Sequence, residues 1–145
     1  MIAYNSEYKH SIIEVVKFHE VDMLGVCNNA VYFNYFEDAR IKYLQNLSQK
    51  YSFKEFLVGN SFVIMAHNEI DYINSAHLDD ELTVYSKIDK VSKSSFSFEH
   101  FIHRKSDNAN VAKGRGVLVH IDKLSKKTML LPEEFHMAII DFEGV

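Results

Sequence analysis

The segment DMLGVCNNAVYFNYFEDAR, residues 22–40, places a glycine-containing turn directly before an aromatic-rich helix. Gly25 gives the backbone conformational freedom, and Asn28 or Asn29 can cap the helix that follows. From residue 30 to about residue 47 the apolar residues fall at helical spacing. These residues include Tyr32, Phe36, Ala39 and Tyr43. Aromatic side chains lie on more than one side of this helix, which is typical of a helix wrapped by a sheet.

Segments with strand character lie on both sides of the predicted helix. One strand is predicted before it, at residues 11–19, because β-branched residues are frequent there. Four more are predicted after it, at residues 62–72, 81–91, 95–104 and 111–121. The links between these four are short and turn-prone, which favours antiparallel pairing of consecutive strands.

Two details refine this prediction. Apolar residues alternate with serines in residues 95–98, which predicts a sheet with one solvent-exposed and one buried face. Phe96 and Phe98 are then expected to face the helix. Pro132, followed by two glutamates, predicts a short terminal helix. The order of strand, long helix and four strands indicates an α+β fold with the helix on one face of an antiparallel sheet.

The size and composition exclude several classes of protein. The 145 residues, 47% hydrophobic and without a Pro, Gly or Ser-rich linker, predict a single domain over residues 1–145. A net charge of -4 does not favour a nucleic-acid partner. Cys27 is the one cysteine, so neither an intrachain disulfide nor a Cys-rich zinc site can form. With no signal peptide and no apolar run of about 18 residues, we expect a cytoplasmic protein without a membrane partner.

A carboxylate lies just before the predicted helix, at Asp22. Unpaired N–H groups at a helix N-terminus can hold an oxygen that carries partial negative charge, and Gly25 has no side chain to obstruct its approach. A carboxylate at Asp22 could attack an acyl carbon, or deprotonate a water that does. Taken alone, an Asp before a helix is more often a turn or capping residue.

Residues 22–40 resemble the D-x-x-G-x-V-x-x-x-x-Y signature of hot-dog-fold acyl-CoA thioesterases of the 4-hydroxybenzoyl-CoA thioesterase family. Asp22, Gly25 and Tyr32 match the signature, and Cys27 occupies the usual Val position. The similarity continues downstream and covers most of the chain. Its further segments are residues 70–72, 77–82, 94–96 and 131–132.

The resemblance implies a hot-dog fold, in which a curved antiparallel sheet wraps one long central helix. It also implies subunits paired edge to edge, as a homodimer or homotetramer, with active sites at the interface. The residue matching Asp22 is then a nucleophile or general base. Backbone N–H groups near Asn28 and Asn29 polarise the thioester carbonyl, and no metal or cofactor is expected. The residues expected to bind substrate are Gly25, Val26, Asn28, Asn29, Tyr32 and His67.

This chain departs from the family pattern at two positions. One branch of the family carries His where this chain has Asn29, and another carries His where it has Val26. Asn can donate a hydrogen bond but cannot take up a proton at neutral pH. Turnover by Asp22 alone is therefore the simpler hypothesis.

Three other features each allow two interpretations. His67 and Glu69 share one face of a predicted strand, from which a side chain could reach a partner's site, although ordinary solvated positions explain them as well. Cys27, at a helix N-terminus, could be a nucleophile, but its replacement of a Val favours packing. His100 and His103 point to opposite faces of a strand, which disfavours a metal site.

The sequence as a whole predicts an acyl-CoA thioesterase that releases a free carboxylic acid and CoA. One alternative is hydrolysis of an acyl group carried on acyl carrier protein. Another is an acyl-CoA-binding protein without hydrolytic activity. The length and aromatic character of the acyl group stay open, because they depend on how the pocket packs.

Overall fold

Residues 8–51, 53 and 61–144 are described by the computed structural model, and they contain two α-helices and five β-strands. The helices are α1, Val31–Lys50, and α2, Glu133–Glu143. The strands are β1, His10–Val15; β2, Ser61–Tyr72; β3, Glu81–Val91; β4, Ser95–Arg104; and β5, Asn110–Asp122. A short 3-10 helix, Phe18–Glu20, follows β1.

The strands form one antiparallel, curved sheet in the order β1-β3-β4-β5-β2. β1 pairs with β3 in a register that runs from His10 opposite Ser86 to Val15 opposite Glu81. With the long helix α1, this sheet gives the hot-dog fold, as the family resemblance implied. The predicted bounds of β3 and β4 match the structure, β2 begins one residue earlier than predicted, and the bounds of α1 and β5 differ by one to three residues at each end.

The prediction that consecutive strands pair as neighbours is wrong for β2. β3 already uses one edge to pair with β1, so β2 lies at the other end of the sheet, beside β5. Just after β2, the N–H groups of Ile73 and Asn74 both donate to the carbonyl of Val111 in β5, at 2.9 and 3.2 Å. These bonds hold the chain that leaves β2 against β5.

The first strand is shorter than predicted. It ends at Val15 rather than at residue 19. Glu20 causes the change, because its Oε1 accepts the N–H of Lys17 at 2.8 Å and its own N–H donates to the Lys17 carbonyl at 2.9 Å. These two bonds close a helical turn, so the β-branched residues before it do not extend the strand.

The prediction of one wet and one buried face is wrong for the start of β4. Ser97 is buried together with Phe96 and Phe98 on either side. Its hydroxyl donates to Asp89 Oδ1 at 2.5 Å and accepts from Arg115 Nη2 at 2.9 Å, so neighbouring polar side chains cover it. Phe96 packs against Phe135 of α2, with ring centroids 4.9 Å apart, a partner that the prediction did not include.

The chain divides into two compact units, each with its own apolar packing. Unit 1 contains residues 1–43, 70–87 and 100–114, and its core joins the first half of α1 to the strands. The large buried side chains of that core include Tyr32, Tyr35, Phe36, Leu82, Val84 and Ile102. The assignment of residues 1–145 to a single domain stays a prediction.

Unit 2 contains residues 44–69, 88–99 and 115–145. Phe135 of α2 lies at its centre, fully buried and in contact with the rings of Phe53 and Phe96. The predicted terminal helix is confirmed, with Pro132 as its N-cap and two glutamates in its first turn. It ends at Gly144, whose φ of 77° is in the left-handed region that glycine adopts without strain.

The side chain of Glu14 in β1 faces Asp38 of α1, and we expect this pair to make stability depend on pH. Burial, followed by the hydrogen bond and charge of Asp38, raises the pKa of Glu14 from 4.5 to about 7, while Lys17 lowers it and Glu20 raises it less. The folded state therefore binds more protons than the unfolded state between these two values. The free energy of unfolding should fall as the pH rises through that range.

Urea unfolding of the wild type and of Glu14→Gln between about pH 5 and pH 8 measures this effect. The wild type should lose stability relative to Glu14→Gln as the pH rises, because only the wild type must ionise a half-buried carboxyl beside Asp38. Glu133→Gln, at an exposed position in the first turn of α2, is the matched control and should show no such difference. Parallel stability curves for wild type and Glu14→Gln would contradict the account.

Candidate active site

The loop that carries Asp22 is a tight hairpin closed by an isolated bridge between Val21 and Cys27. The N–H of Asp22 donates to the Val26 carbonyl at 2.9 Å, and the N–H of Gly25 donates to the Asp22 carbonyl at 3.0 Å. Gly25 has a φ of 80°, which a residue with a side chain adopts only with strain. The conformational freedom predicted for Gly25 is therefore used by this turn.

The carboxylate of Asp22 is held through one of its two oxygens. Oδ1 accepts the N–H of Leu24 at 2.8 Å and that of Val26 at 3.4 Å. Within the described part of the chain, no donor reaches Oδ2. The side chain is thus fixed in orientation, while one oxygen remains available to a water or a substrate.

The start of α1 leaves one backbone donor unused. Asn28 Oδ1 accepts the N–H of Ala30 at 3.0 Å, and the Asn28 carbonyl accepts that of Val31 at 2.9 Å, so Asn28 organises the first turn as predicted. Its own N–H donates to the Glu20 carbonyl at 2.8 Å. The N–H of Asn29, in contrast, has no acceptor among residues 8–51, 53 and 61–144.

A cavity of about 320 Å³ opens beside this helix start. Its volume is at the lower end of the range that small-molecule sites occupy. One wall is the Asp22 hairpin and the beginning of α1, and the other is the end of β2 with the loop that follows. The lining residues are Asp22, Val26, Cys27, Asn29, Tyr32, Tyr72, Ile73, Asn74 and Ser75.

The second wall was not predicted from the sequence as part of the site. The N–H of Ala76 donates to the Tyr32 hydroxyl at 3.3 Å, and the Ala76 carbonyl accepts the N–H of Cys27 at 2.7 Å. Arg104 Nη1 donates to the Ser75 carbonyl at 2.7 Å. These bonds fix the loop after β2 against the hairpin, α1 and β4. The sequence indicates Tyr72 only as part of the segment 70–72 that resembles the family.

Buried polar side chains lie behind the cavity. Tyr35 donates its hydroxyl hydrogen to Glu20 Oε1 at 2.8 Å, and the Cys27 sulfur lies 4.0 Å from the same hydroxyl. Burial raises the pKa of the Cys27 thiol and raises that of Tyr32 to about 12. A thiol that resists ionisation is a poor nucleophile, which supports the packing interpretation of Cys27.

The structure brings some of the predicted site residues together and leaves others apart. Four of the predicted residues line the cavity: Asp22, Val26, Asn29 and Tyr32. Gly25 and Asn28 instead set the backbone conformation of the hairpin and of the helix start. His67 lies in unit 2 on β2, exposed, with Nε2 2.9 Å from Glu69 Oε1, and is not among the lining residues. In the described ranges no three His, Cys, Asp or Glu side chains form a group that could hold a metal ion.

No helix in the described part of the chain is long and apolar enough to cross a membrane. The exposed apolar side chains are dispersed over turns, strands and helices. Two of them, Met23 and Leu24, stand almost fully exposed at the tip of the hairpin, next to Asp22.

Comparison with known proteins finds similarity over most of the chain. Residues 16–139 match the family model of the Thioesterase-like superfamily. A thioesterase from Thermus thermophilus, solved in complex with coenzyme A and Zn, is 32% identical, with a TM-score of 0.80 and coverage of 96% of this chain and 97% of that one.

Two curated relatives extend the comparison. The uncharacterized protein YsmA of Bacillus subtilis (strain 168) is 29% identical over 119 residues, which are 82% of this chain and 77% of YsmA. The chloroplastic acyl-acyl carrier protein thioesterase ATL3 of Arabidopsis thaliana is 22% identical over 133 residues, which are 92% of this chain and 68% of ATL3.

Proposed function

The chain belongs to the Thioesterase-like superfamily, and from that premise we propose that it hydrolyses an acyl-CoA thioester in the cavity beside α1, with Asp22 as the catalytic carboxylate. The observation that carries this proposal is that one cavity holds two groups without a hydrogen-bond partner in the described part of the chain. Asp22 Oδ2 and the N–H of Asn29 both lack a partner among the described residues, and both residues line the cavity. Acyl transfer needs such a pair, a basic or nucleophilic oxygen and a donor for the oxyanion.

Two routes use these groups, and both need the negative charge of Asp22. As a general base, Asp22 takes a proton from water while the water oxygen bonds to the carbonyl carbon. The carbonyl oxygen becomes an oxyanion and accepts the N–H of Asn29. The C–S bond then breaks, and the proton on Asp22 passes to the departing thiolate.

As a nucleophile, Asp22 itself bonds to the carbonyl carbon and expels the thiolate. The mixed anhydride that results is cleaved by water, which restores the carboxylate. In either route the Asn29 N–H stabilises charge that develops in the transition state. Neither route requires a histidine. This agrees with the sequence, which has Val26 and Asn29 at the two positions where branches of the family carry a histidine.

The source of the acyl group is the point that divides the two hydrolytic interpretations. Similarity to a thioesterase solved with coenzyme A supports acyl-CoA, while similarity to ATL3 favours the carrier protein as the second candidate. The identity is higher to the coenzyme A-bound thioesterase, at 32%, than to ATL3, at 22%, which favours acyl-CoA.

The test compares one acyl group in two forms, on CoA and on phosphopantetheinylated carrier protein, by the rate of thiol release. We expect the higher kcat/KM for acyl-CoA. A carrier-protein substrate that is hydrolysed about tenfold faster would replace this proposal with the second candidate. Binding of acyl-CoA without thiol release from either form would favour the non-hydrolytic alternative. The narrower assignment to the 4-hydroxybenzoyl-CoA thioesterase family rests on the signature in residues 22–32.

We also propose that the subunits associate as a homodimer or a dimer of dimers. β1 and β2 are the two edges of the sheet, and Ile13 and Ile64 stand exposed on them. Met23 and Leu24, beside the cavity, add apolar surface that a monomer would leave in water. Sedimentation equilibrium should give a mass of at least twice 16.9 kDa, and a single-subunit mass at micromolar concentration would contradict this proposal.

A further inference from the structure

Tyr72, the last residue of β2, touches both the cavity and the helix start. It lines the cavity, and its hydroxyl donates to the carbonyl of Asn29 at 2.8 Å. The ring packs edge-on against Tyr32, with centroids 5.5 Å apart and an interplanar angle of 63°. The side chain is 48% exposed, so burial of the core does not by itself account for this orientation.

The Tyr72 bond fixes one end of a peptide group whose other end is also fixed. The peptide between Asn29 and Ala30 carries the Asn29 carbonyl, which accepts from Tyr72, and the Ala30 N–H, which donates to Asn28 Oδ1. A peptide group is planar, so bonds at both of its ends set the orientation of the plane. Tyr72 therefore restrains the backbone on one side of the Asn29 α-carbon.

The preceding peptide is restrained at one end only, because its carbonyl, that of Asn28, accepts the N–H of Val31 at 2.9 Å. Its N–H is the unused donor of Asn29. Rotation about the backbone bonds of Asn29 would turn this donor relative to the cavity, and Tyr72 opposes that rotation from the other side. A donor for an oxyanion is effective when it is held in place before the charge develops.

We propose that Tyr72 is a positioning residue for the proposed oxyanion donor: its hydroxyl holds the Asn29 backbone so that the Asn29 N–H faces the thioester carbonyl. This inference rests on the proposed function. Burial raises the pKa of the Tyr72 hydroxyl, so it remains a protonated donor at neutral pH. Tyr72 does not touch the reacting atoms in this role; it acts through Asn29.

The first test is the kinetics of Tyr72→Phe, which removes the hydroxyl and keeps the ring on Tyr32. Loss of a whole oxyanion donor costs about 10²–10³ in kcat, so loss of its positioning bond should lower kcat by about tenfold. KM should change less than about twofold, because the hydrogen bond from the Asn29 N–H is weaker to the neutral carbonyl of the bound substrate than to the oxyanion. Tyr85→Phe, on β3 and outside the cavity lining, is the matched control and should leave both constants unchanged.

The second test reads the thioester carbonyl directly. An acyl-CoA with a ¹³C-labelled carbonyl is bound to Asp22→Asn, which should hydrolyse it about a hundredfold or more slowly than the wild type. The carbonyl stretch is recorded by difference infrared spectroscopy before the substrate is consumed. A hydrogen bond from Asn29 lowers this frequency, and adding Tyr72→Phe should move it back toward its value in water. Adding Tyr85→Phe should not. A role of Tyr72 in packing alone would leave the frequency unchanged.

The outcomes separate the inference from the proposed function. Both the proposed function and the role of Tyr72 are supported if the wild type is active and if Tyr72→Phe, but not Tyr85→Phe, changes kcat and the carbonyl frequency. Active wild type with equal kinetics for the two variants overturns the role of Tyr72 and leaves the proposed function standing. A wild type without thioesterase activity overturns the proposed function, and with it the inference. Thermal unfolding of each variant shows whether a loss of kcat is a loss of folded protein.

Discussion

Asp22→Asn should lower kcat for thioester hydrolysis by about a hundredfold or more, with KM changed only a few-fold. The structure explains why the effect should fall on kcat. The bonds that hold the hairpin use Asp22 Oδ1, and the carbonyl oxygen of Asn can accept the same N–H groups of Leu24 and Val26. The substitution therefore changes the free Oδ2 into an amide group that can neither attack a carbonyl carbon nor accept a proton.

Asp79→Asn is the matched control for this experiment. Asp79 is an exposed carboxylate outside the cavity lining, with a φ of 68° that Asn tolerates well. Its kcat should equal that of the wild type. A folded Asp22→Asn variant that retains wild-type kcat would show that Asp22 is only a turn or capping residue, the alternative that the sequence leaves open. The catalytic carboxylate would then lie elsewhere.

Phe36→Ala should lower the free energy of unfolding by about 3–5 kcal/mol. Phe36 of α1 is completely buried, its ring stacks on His100 of β4 with centroids 4.6 Å apart, and Phe33 packs edge-on against it at 6.2 Å. Removing the ring leaves a cavity between α1 and the sheet within unit 1, which rigid strands can fill only in part. The melting temperature should fall on the order of 10 °C for a protein of this size.

Urea unfolding with two comparison variants measures this loss. Phe18→Ala removes the same atoms from a residue that is 79% exposed, and it should change stability by less than about 0.5 kcal/mol. Phe36→Leu leaves a smaller cavity and should fall between the wild type and Phe36→Ala. Similar losses for Phe36→Ala and Phe18→Ala would show that the core of unit 1 does not depend on the Phe36 ring.

The features that the sequence predicted correctly are those set by neighbouring residues. The spacing of Tyr32, Phe36, Ala39 and Tyr43 marks one face of α1, and all four are buried. The strand bounds of β3 and β4 follow from local composition in the same way. The conformational freedom predicted for Gly25 is also used, because Gly25 adopts the positive φ that the Asp22 hairpin requires.

The features that the sequence did not predict depend on partners distant along the chain. The place of β2 is set by β1, which occupies the edge of β3. Ser97 is buried because Arg115, 18 residues away, donates to its hydroxyl. Tyr72 enters the site through a bond to Asn29, 43 residues earlier. Periodicity within a segment carries no information on such contacts.

The measurement that tests the account most directly is thiol release from short, medium, long and aromatic acyl-CoAs by the wild type, with Asp22→Asn as the matched blank. We predict that the wild type hydrolyses at least one of them with a kcat/KM in the enzymatic range, above about 10⁴ M⁻¹s⁻¹. The blank should lose about a hundredfold or more of that rate. Equal rates for the two folded proteins, or no release above background by a wild type that binds acyl-CoA, would contradict the claim that Asp22 hydrolyses thioesters in this cavity.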